Sequence, residues 1–338
     1  MKLLGIIVAI ISFLLLVVSH EFGHMIVGKL CGVRVDEFSV GMGPLIFKKQ
    51  KGETQYSLRA IPFGGYCKFD EDAEESDDPR AFINASWWKR ALILFAGAFM
   101  NFLVYLIIII AVFTYVGSYS NKLASVNPGS PAELAGIRAG DTIIGINDLY
   151  SDDWVTLVNE INTSKEESIK VSFIDSEGNS KASYINPQYD DETGRKIIGI
   201  TCSVVHSPAK AAKEAMTTCG DFIVETVKFL GRLFTGNAQN DEVMGIVGIV
   251  GVVSDEMQYG FINVIYIMGI ISLNLAVINL LPFPALDGGR LLFILIELIT
   301  RNKVSKRVEN AINTVGFMIL MALAVMLIFK DTFNIIVK

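Results

Sequence analysis

The sequence predicts a polytopic α-helical membrane protein that carries one water-exposed α+β module, and three observations predict it. The chain has 338 residues, of which 51% are hydrophobic and 19% charged, with a mean hydropathy of +0.46. That is too apolar for a soluble globule and too charged for a bare helical bundle. Four apolar stretches, at about 3–26, 91–116, 261–281 and 311–329, reach the length of roughly 20 helical residues that crosses a hydrocarbon core. At the end of the first of them stands His20-Glu21-Phe22-Gly23-His24.

That pentapeptide is an HExxH pattern. On a helix, histidines four residues apart share one face and can both bind Zn²⁺, and the glutamate between them is placed to act as a general base. Soluble hydrolases carry the pattern in a watery cleft, whereas here its helix is apolar enough to lie in a bilayer. Ionisable groups at that depth are costly and point to function. The apolar run after Lys2 also resembles a secretory leader, but Val18-Ser19-His20-Glu21 is a poor cleavage site. Two of the chain's three histidines belong to the pattern.

Basic residues set the expected orientation. Lys29, Arg34, Lys48, Lys49, Lys51, Arg59 and their neighbours lie between the first two apolar stretches, and Arg290, Arg301, Lys303, Lys306 and Arg307 between the last two. Both segments are therefore expected on the cytoplasmic side, with 117–257 and the two termini outside. The formal net charge of −6 leaves no footprint for nucleic acid. Cys31, Cys67, Cys202 and Cys219 form no CxxC pair, so neither a disulfide framework nor a cysteine-based zinc site is expected. Nothing in the sequence requires Cys202 and Cys219 to pair.

Between the first two stretches, residues 33–68 alternate and contain the turn signal Gly41-Met42-Gly43-Pro44, with a second strand expected at 54–61. This predicts a β-hairpin or small sheet beside the helix that carries HExxH, whose edge can accept an extended chain as an added strand. The acidic stretch 70–80 is expected to be solvated and disordered. Residues 120–205 combine short strands, Gly-Asp turns and a polar helix at 152–162, with strands at 169–174 and 196–200, which fits a compact α+β fold. An amphipathic stretch at 207–234 suits either the outer membrane surface or a linker helix. The Gly-rich segment 243–253 is short for a span and reads as a re-entrant or buried piece.

Catalytic zinc takes three protein ligands plus water. Asp287 is the strongest third ligand, in Asn279-Leu280-Leu281-Pro282-Phe283-Pro284-Ala285-Leu286-Asp287-Gly288-Gly289-Arg290. Two prolines interrupt the helix there, and irregular backbone at membrane depth is tolerated only where it is buried in protein or lines a wet cavity. Asp-Gly-Gly is also ordinary turn chemistry, in which the aspartate caps the next helix. Asn279 suits two roles, a donor to a substrate carbonyl or developing oxyanion, and interhelical hydrogen bonding; Asn101 has the same ambiguity.

Taken together, these segments resemble the site-2 proteases, intramembrane zinc metalloproteases of the bacterial RseP type. The resemblance rests on HEFGH, on GMGP, on a PDZ-like SPAELAGIRAGDTIIGIN and on NLLPFPALDGGR, and it covers nearly the whole chain. It implies Zn²⁺ held by His20, His24 and Asp287, catalysis by Glu21, and substrate contacts from Asn279 and from Gly41 and Gly43 of a cytoplasmic-side, membrane-associated hairpin. It implies four domains: 1–116 as the first membrane part, 117–205 as an extracytoplasmic PDZ-like domain, 206–257 as a linker and 258–338 as the second membrane part. It also implies location in the bacterial inner membrane, with transmembrane protein substrates that a site-1 protease trims first in some systems. Two motifs depart from the family pattern. Ala98 replaces a proline in Phe95-Ala96-Gly97-Ala98-Phe99-Met100-Asn101, and Met244-Gly245-Ile246-Val247-Gly248-Ile249 lacks one as well. The rival reading is a non-catalytic PDZ scaffold with structural zinc, which would need a fourth protein ligand.

Overall fold

The computed structural model describes residues 2–69, 76–190, 194–237, 243–302 and 304–337. Residues 70–75 of the acidic stretch, and Lys303, lie outside the described residues. The elements run α1 (Lys2–Leu30), β1 (Val35–Lys51), β2 (Thr54–Phe69), α2 (Trp87–Val116), β3 (Ser118–Val126), α3 (Pro131–Leu134), β4 (Thr142–Ile146), β5 (Leu149–Tyr150), α4 (Trp154–Thr163), β6 (Ile169–Ile174), β7 (Ser180–Ile185), β8 (Gln188–Asp190), β9 (Arg195–Ile197), β10 (Ile200–Val205), α5 (Pro208–Phe234), α6 (Ile246–Glu256), α7 (Phe261–Asn279), α8 (Asp287–Thr300) and α9 (Lys306–Val337). The chain divides into two compact units, one of Met1–Val112 with Glu214–Lys338 and the other Phe113–Lys213.

In the first unit, α1, α2, α7 and α9 each contain a stretch long and apolar enough to cross a membrane. Their surfaces make the same point as their lengths. Only 6% of the apolar window of α9 is buried, and Phe317, Met318, Ile319, Met326 and Phe329 are all exposed. A helix apolar all round and so little covered by protein calls for an apolar surrounding.

The region after α1 is a bent sheet rather than a plain hairpin. Residues 45–51 pair antiparallel with 54–59, while 37–40 face 65–68 on one side and 55–58 on the other. Gly-Met-Gly-Pro, expected as a turn between strands, is a bend within β1. Gly41 adopts φ +82, and a Cβ there would lie 2.8 Å from the Ile61 carbonyl oxygen, so a left-handed residue without a side chain is required. Glu37 braces the bend: its Oε1 accepts from Ser57 Oγ at 2.5 Å and Arg59 Nη2 at 3.0 Å. Burial pushes the Glu37 carboxyl up, but these hydrogen bonds outweigh burial and hold it below the ordinary range.

The second unit is built on a sheet of order β10-β3-β4-β6-β7, with β5 paired to β4, and a separate β8-β9 ribbon. Leu123, Ile143, Ile146, Val171 and Phe173 from the strands bury against Leu157 and Ile161 of α4. Asp153 caps α4 by accepting from the Thr156 N–H at 2.8 Å. The strand expected at 196–200 is two strands, because Gly199 at φ +81 breaks it between β9 and β10. All four cysteines are free thiols.

The segment expected as a re-entrant or buried piece contains α6, which packs its Val253 with Ala9 of α1 and Val264 of α7. Its N-terminus is capped from a distance. Asp331 of α9, 5% exposed, accepts from the backbone N–H of Gly245 at 3.0 Å and of Gly248 at 2.8 Å. A carboxylate on the free N–H groups at a helix start is favoured by hydrogen bonding and by the helix dipole. Asp331→Ala is therefore expected to destabilise the protein by about 1–3 kcal/mol, the cost of stranding buried donors. Thermal unfolding in detergent, with amide exchange at 245–249, measures it, and Asp331→Asn is expected to lose less.

Candidate metal centre

His20 and His24 lie one turn apart on α1 and are 8% and 7% exposed. Their Nε2 atoms are 3.2 Å apart. Asp287 comes to them from the start of α8, with Oδ2 at 3.0 Å from His20 Nε2 and 3.3 Å from His24 Nε2. Among the described residues these three supply the cluster of donors able to hold a metal ion. The third histidine, His206, is engaged in the second unit, where its Nδ1 pairs with the Thr114 carbonyl oxygen at 3.0 Å.

The chain delivers Asp287 by breaking a helix and restarting it. The prolines at 282 and 284 end α7 before the loop, and Ala285, at φ +72, is held by its N–H to Asn313 Oδ1 at 3.1 Å. α8 then starts with Leu286 at its N-cap and no side-chain cap, so the Asp287 carboxylate faces the imidazoles instead of capping. The turn chemistry that competed with a ligand reading is therefore absent. Gly288 and Gly289 let the first turn of α8 fold onto the loop, since a Cβ at either would lie 2.2 Å from the Leu281 oxygen or 2.3 Å from that of Phe283. A partly buried ion pair, Arg90 Nη2 to Glu297 Oε2 at 2.5 Å, ties α8 to α2.

The separations suit a small tetrahedral cation. Bonds of about 2.0–2.1 Å to nitrogen or oxygen place tetrahedral ligand atoms about 3.3 Å apart. Three lone-pair donors this close and this buried repel one another unless positive charge lies between them. His24 is prepared for such a role: its Nδ1 bonds the Ile93 carbonyl oxygen of α2 at 2.7 Å, which fixes the ring and leaves Nε2 as the acceptor.

α2 forms the wall behind the pair. Ile93, Gly97 and Asn101 are spaced by four, so they share one face. A Cβ on Gly97 would lie 2.3 Å from His24 Nε2 and 2.7 Å from His20 Cε1, so only glycine leaves room for both rings. Glu21 points to the sheet, where its Oε2 accepts from the Cys67 N–H of β2 at 2.8 Å. A cavity of about 420 Å³ opens here, lined by His20, Glu21, His24, Asn101, Asn279 and Asp287 among others. Tyr66 and Cys67 of β2 also line it; Gly41 and Gly43 do not.

Five of the expected residues, His20, Glu21, His24, Asn279 and Asp287, thus meet at one cavity. Sequence reading missed the contributions of Ile93, Cys67 and Gly97. The first two act through a backbone carbonyl and a backbone N–H, which every non-proline residue carries. Gly97 had a weak signal, a glycine inside an otherwise bulky apolar helix.

Residues 8–323 match the model of peptidase family M50. A protein of Clostridium acetobutylicum is 36% identical over 98% of this chain and 98% of its own length, and one of Clostridium perfringens is 36% identical over 96% and 98%; both carry provisional zinc-metalloprotease names. Zinc metalloprotease RasP of Shouchella clausii is 27% identical over 94% of this chain and 96% of that one. Among solved structures, the PDZ domain of an SdrC-like protein from Listeria monocytogenes is similar at 22% identity and TM-score 0.22, covering 25% of this chain and 87% of that one. The family match spans the helix that bears His20 and His24 and the turn that bears Asp287, and the chain accordingly belongs to peptidase family M50 and is a zinc metalloprotease.

Proposed function

We propose that the enzyme hydrolyses peptide bonds within transmembrane segments of membrane proteins. The observation that carries this reading is the convergence of His20, His24 and Asp287 at a cavity on helices apolar enough for the bilayer. His20, His24 and Asp287 would hold zinc, and bound zinc supplies Lewis-acid polarisation and a water acidic enough to lose its proton near neutral pH. Glu21 would act as the base that accepts a proton from the attacking water and as the acid that gives it to the leaving amine as the C–N bond breaks. Asn279 donates to the carbonyl oxygen as charge develops there. A helical substrate hides its carbonyls in hydrogen bonds, so the segment must unwind before attack. The β2 edge at Tyr66-Cys67 lies at the cavity and suits an added strand. In this reading Gly41 and Gly43 serve the substrate through the bend that aims the sheet.

The Lys/Arg-rich segments support a zinc site toward the cytoplasmic face of a bacterial inner membrane, with the PDZ-like module serving outside as a filter. Substrates would be single-span proteins such as anti-sigma factors, or signal-peptide remnants, shortened first by a site-1 protease.

Glu21→Gln is expected to keep one zinc per chain and to lose cleavage of a model single-span substrate by at least about 10³-fold, given what a positioned base contributes. Metal analysis beside a gel-based cleavage assay measures both, and cleavage near the wild-type rate would refute the base. Gly97→Ala is expected to weaken zinc about tenfold or more by displacing both imidazoles, while helix content holds, because alanine favours helix. Chelator competition and circular dichroism check it.

A further inference from the structure

We propose that Asn101 is a substrate-binding residue whose side-chain amide pairs with one peptide unit of the unwound substrate; this rests on the protease reading above. Asn101 is 0% exposed, and neither its Nδ2 nor its Oδ1 has a hydrogen-bond partner. It lines the same cavity as His20, Glu21, His24 and Asp287. It stands one turn beyond Gly97 and two beyond Ile93, on the face of α2 that supports the imidazoles.

Its backbone is fixed even though its side chain is unpaired. The Asn101 carbonyl oxygen accepts from Ser272 Oγ of α7 at 2.8 Å, and Ser272 is 0% exposed. The residue is therefore pinned where two helices cross, with its amide left for something else. A buried amide without a partner lowers stability, and a leucine of similar size would fill the place at no such cost. Interhelical hydrogen bonding, the other role open to this residue, is met by its backbone and by Ser272, not by the amide.

The complement of that amide is a peptide group. An unwound segment at membrane depth exposes N–H and C=O groups that water does not reach. The asparagine side chain offers an acceptor and two donors, which match one N–H and one C=O together. A fully helical chain keeps both groups in its own hydrogen bonds and offers no such pair to it.

The test uses the full chain in lipid nanodiscs. The probe is a fluorescent single-span peptide of leucine and alanine with a central glycine–serine pair, titrated onto Glu21→Gln and onto Glu21→Gln with Asn101→Leu. The leucine variant is expected to bind it about tenfold or more weakly, as suits lost hydrogen bonds in a buried site. Zinc content and unfolding temperature are expected to stay level or rise, and inhibition of the Asn101→Leu single variant by acetohydroxamate, a small metal-directed ligand, to match wild type. Asn101→Ala repeats the measurement with a smaller side chain. Equal peptide binding in parent and variants overturns the proposal, and so does loss of zinc or of folding in both, which marks a structural amide. If the peptide binds as expected but the wild type cuts no membrane substrate, the protease reading fails instead.

Discussion

Two imidazole nitrogens and a carboxylate oxygen, all within 3.0–3.3 Å of one another and all buried, are the constraint around which the first unit is organised. Such a group needs positive charge, a shared proton or a metal ion, among its donor atoms in a poorly hydrated place. A divalent cation turns the repulsion into attraction. The surrounding architecture holds the three atoms together: a helix that brings two of them on one face, a broken helix that brings the third, and a wall that leaves room for both rings.

The wall is as much part of the site as the three donor side chains. From α2, the Ile93 carbonyl orients His24, the Gly97 notch admits both rings, and Asn101 lines the cavity beyond them. From the other side β2 reaches Glu21 through the Cys67 N–H. That contact ties the carboxylate proposed as the base to the strand edge proposed to receive substrate. A chain docking there would bear on the position of the base, linking binding to chemistry.

What was legible in the sequence was what is local. HExxH is a spacing of four on an apolar run, and both the helix and the shared face of its histidines follow from that alone. The long apolar helices were legible from length and hydropathy, with edges off by a few residues, as in α2, which starts at Trp87 rather than near 91. The meeting of Asp287 with the two histidines was legible through chemistry, since a zinc site would need a third ligand and the broken Pro-Phe-Pro segment offered a reason for one at membrane depth. The bend at Gly41 was not, because its cause is the approach of Ile61 from a strand twenty residues on. β7 escaped notice because five of its six residues face outward or nearly so, and register with β6 alone makes it a strand. The part played by α2 was hidden for the same reason: a backbone carbonyl leaves no mark in the sequence.

The most direct test is zinc K-edge X-ray absorption on the purified wild-type chain. About one zinc per chain is expected, surrounded only by nitrogen and oxygen at about 2.0–2.1 Å, with the scattering of two imidazoles. Sulfur at about 2.3 Å, which Cys67 at the cavity wall would supply, would contradict it, as would an imidazole count other than two or a chain that binds no zinc.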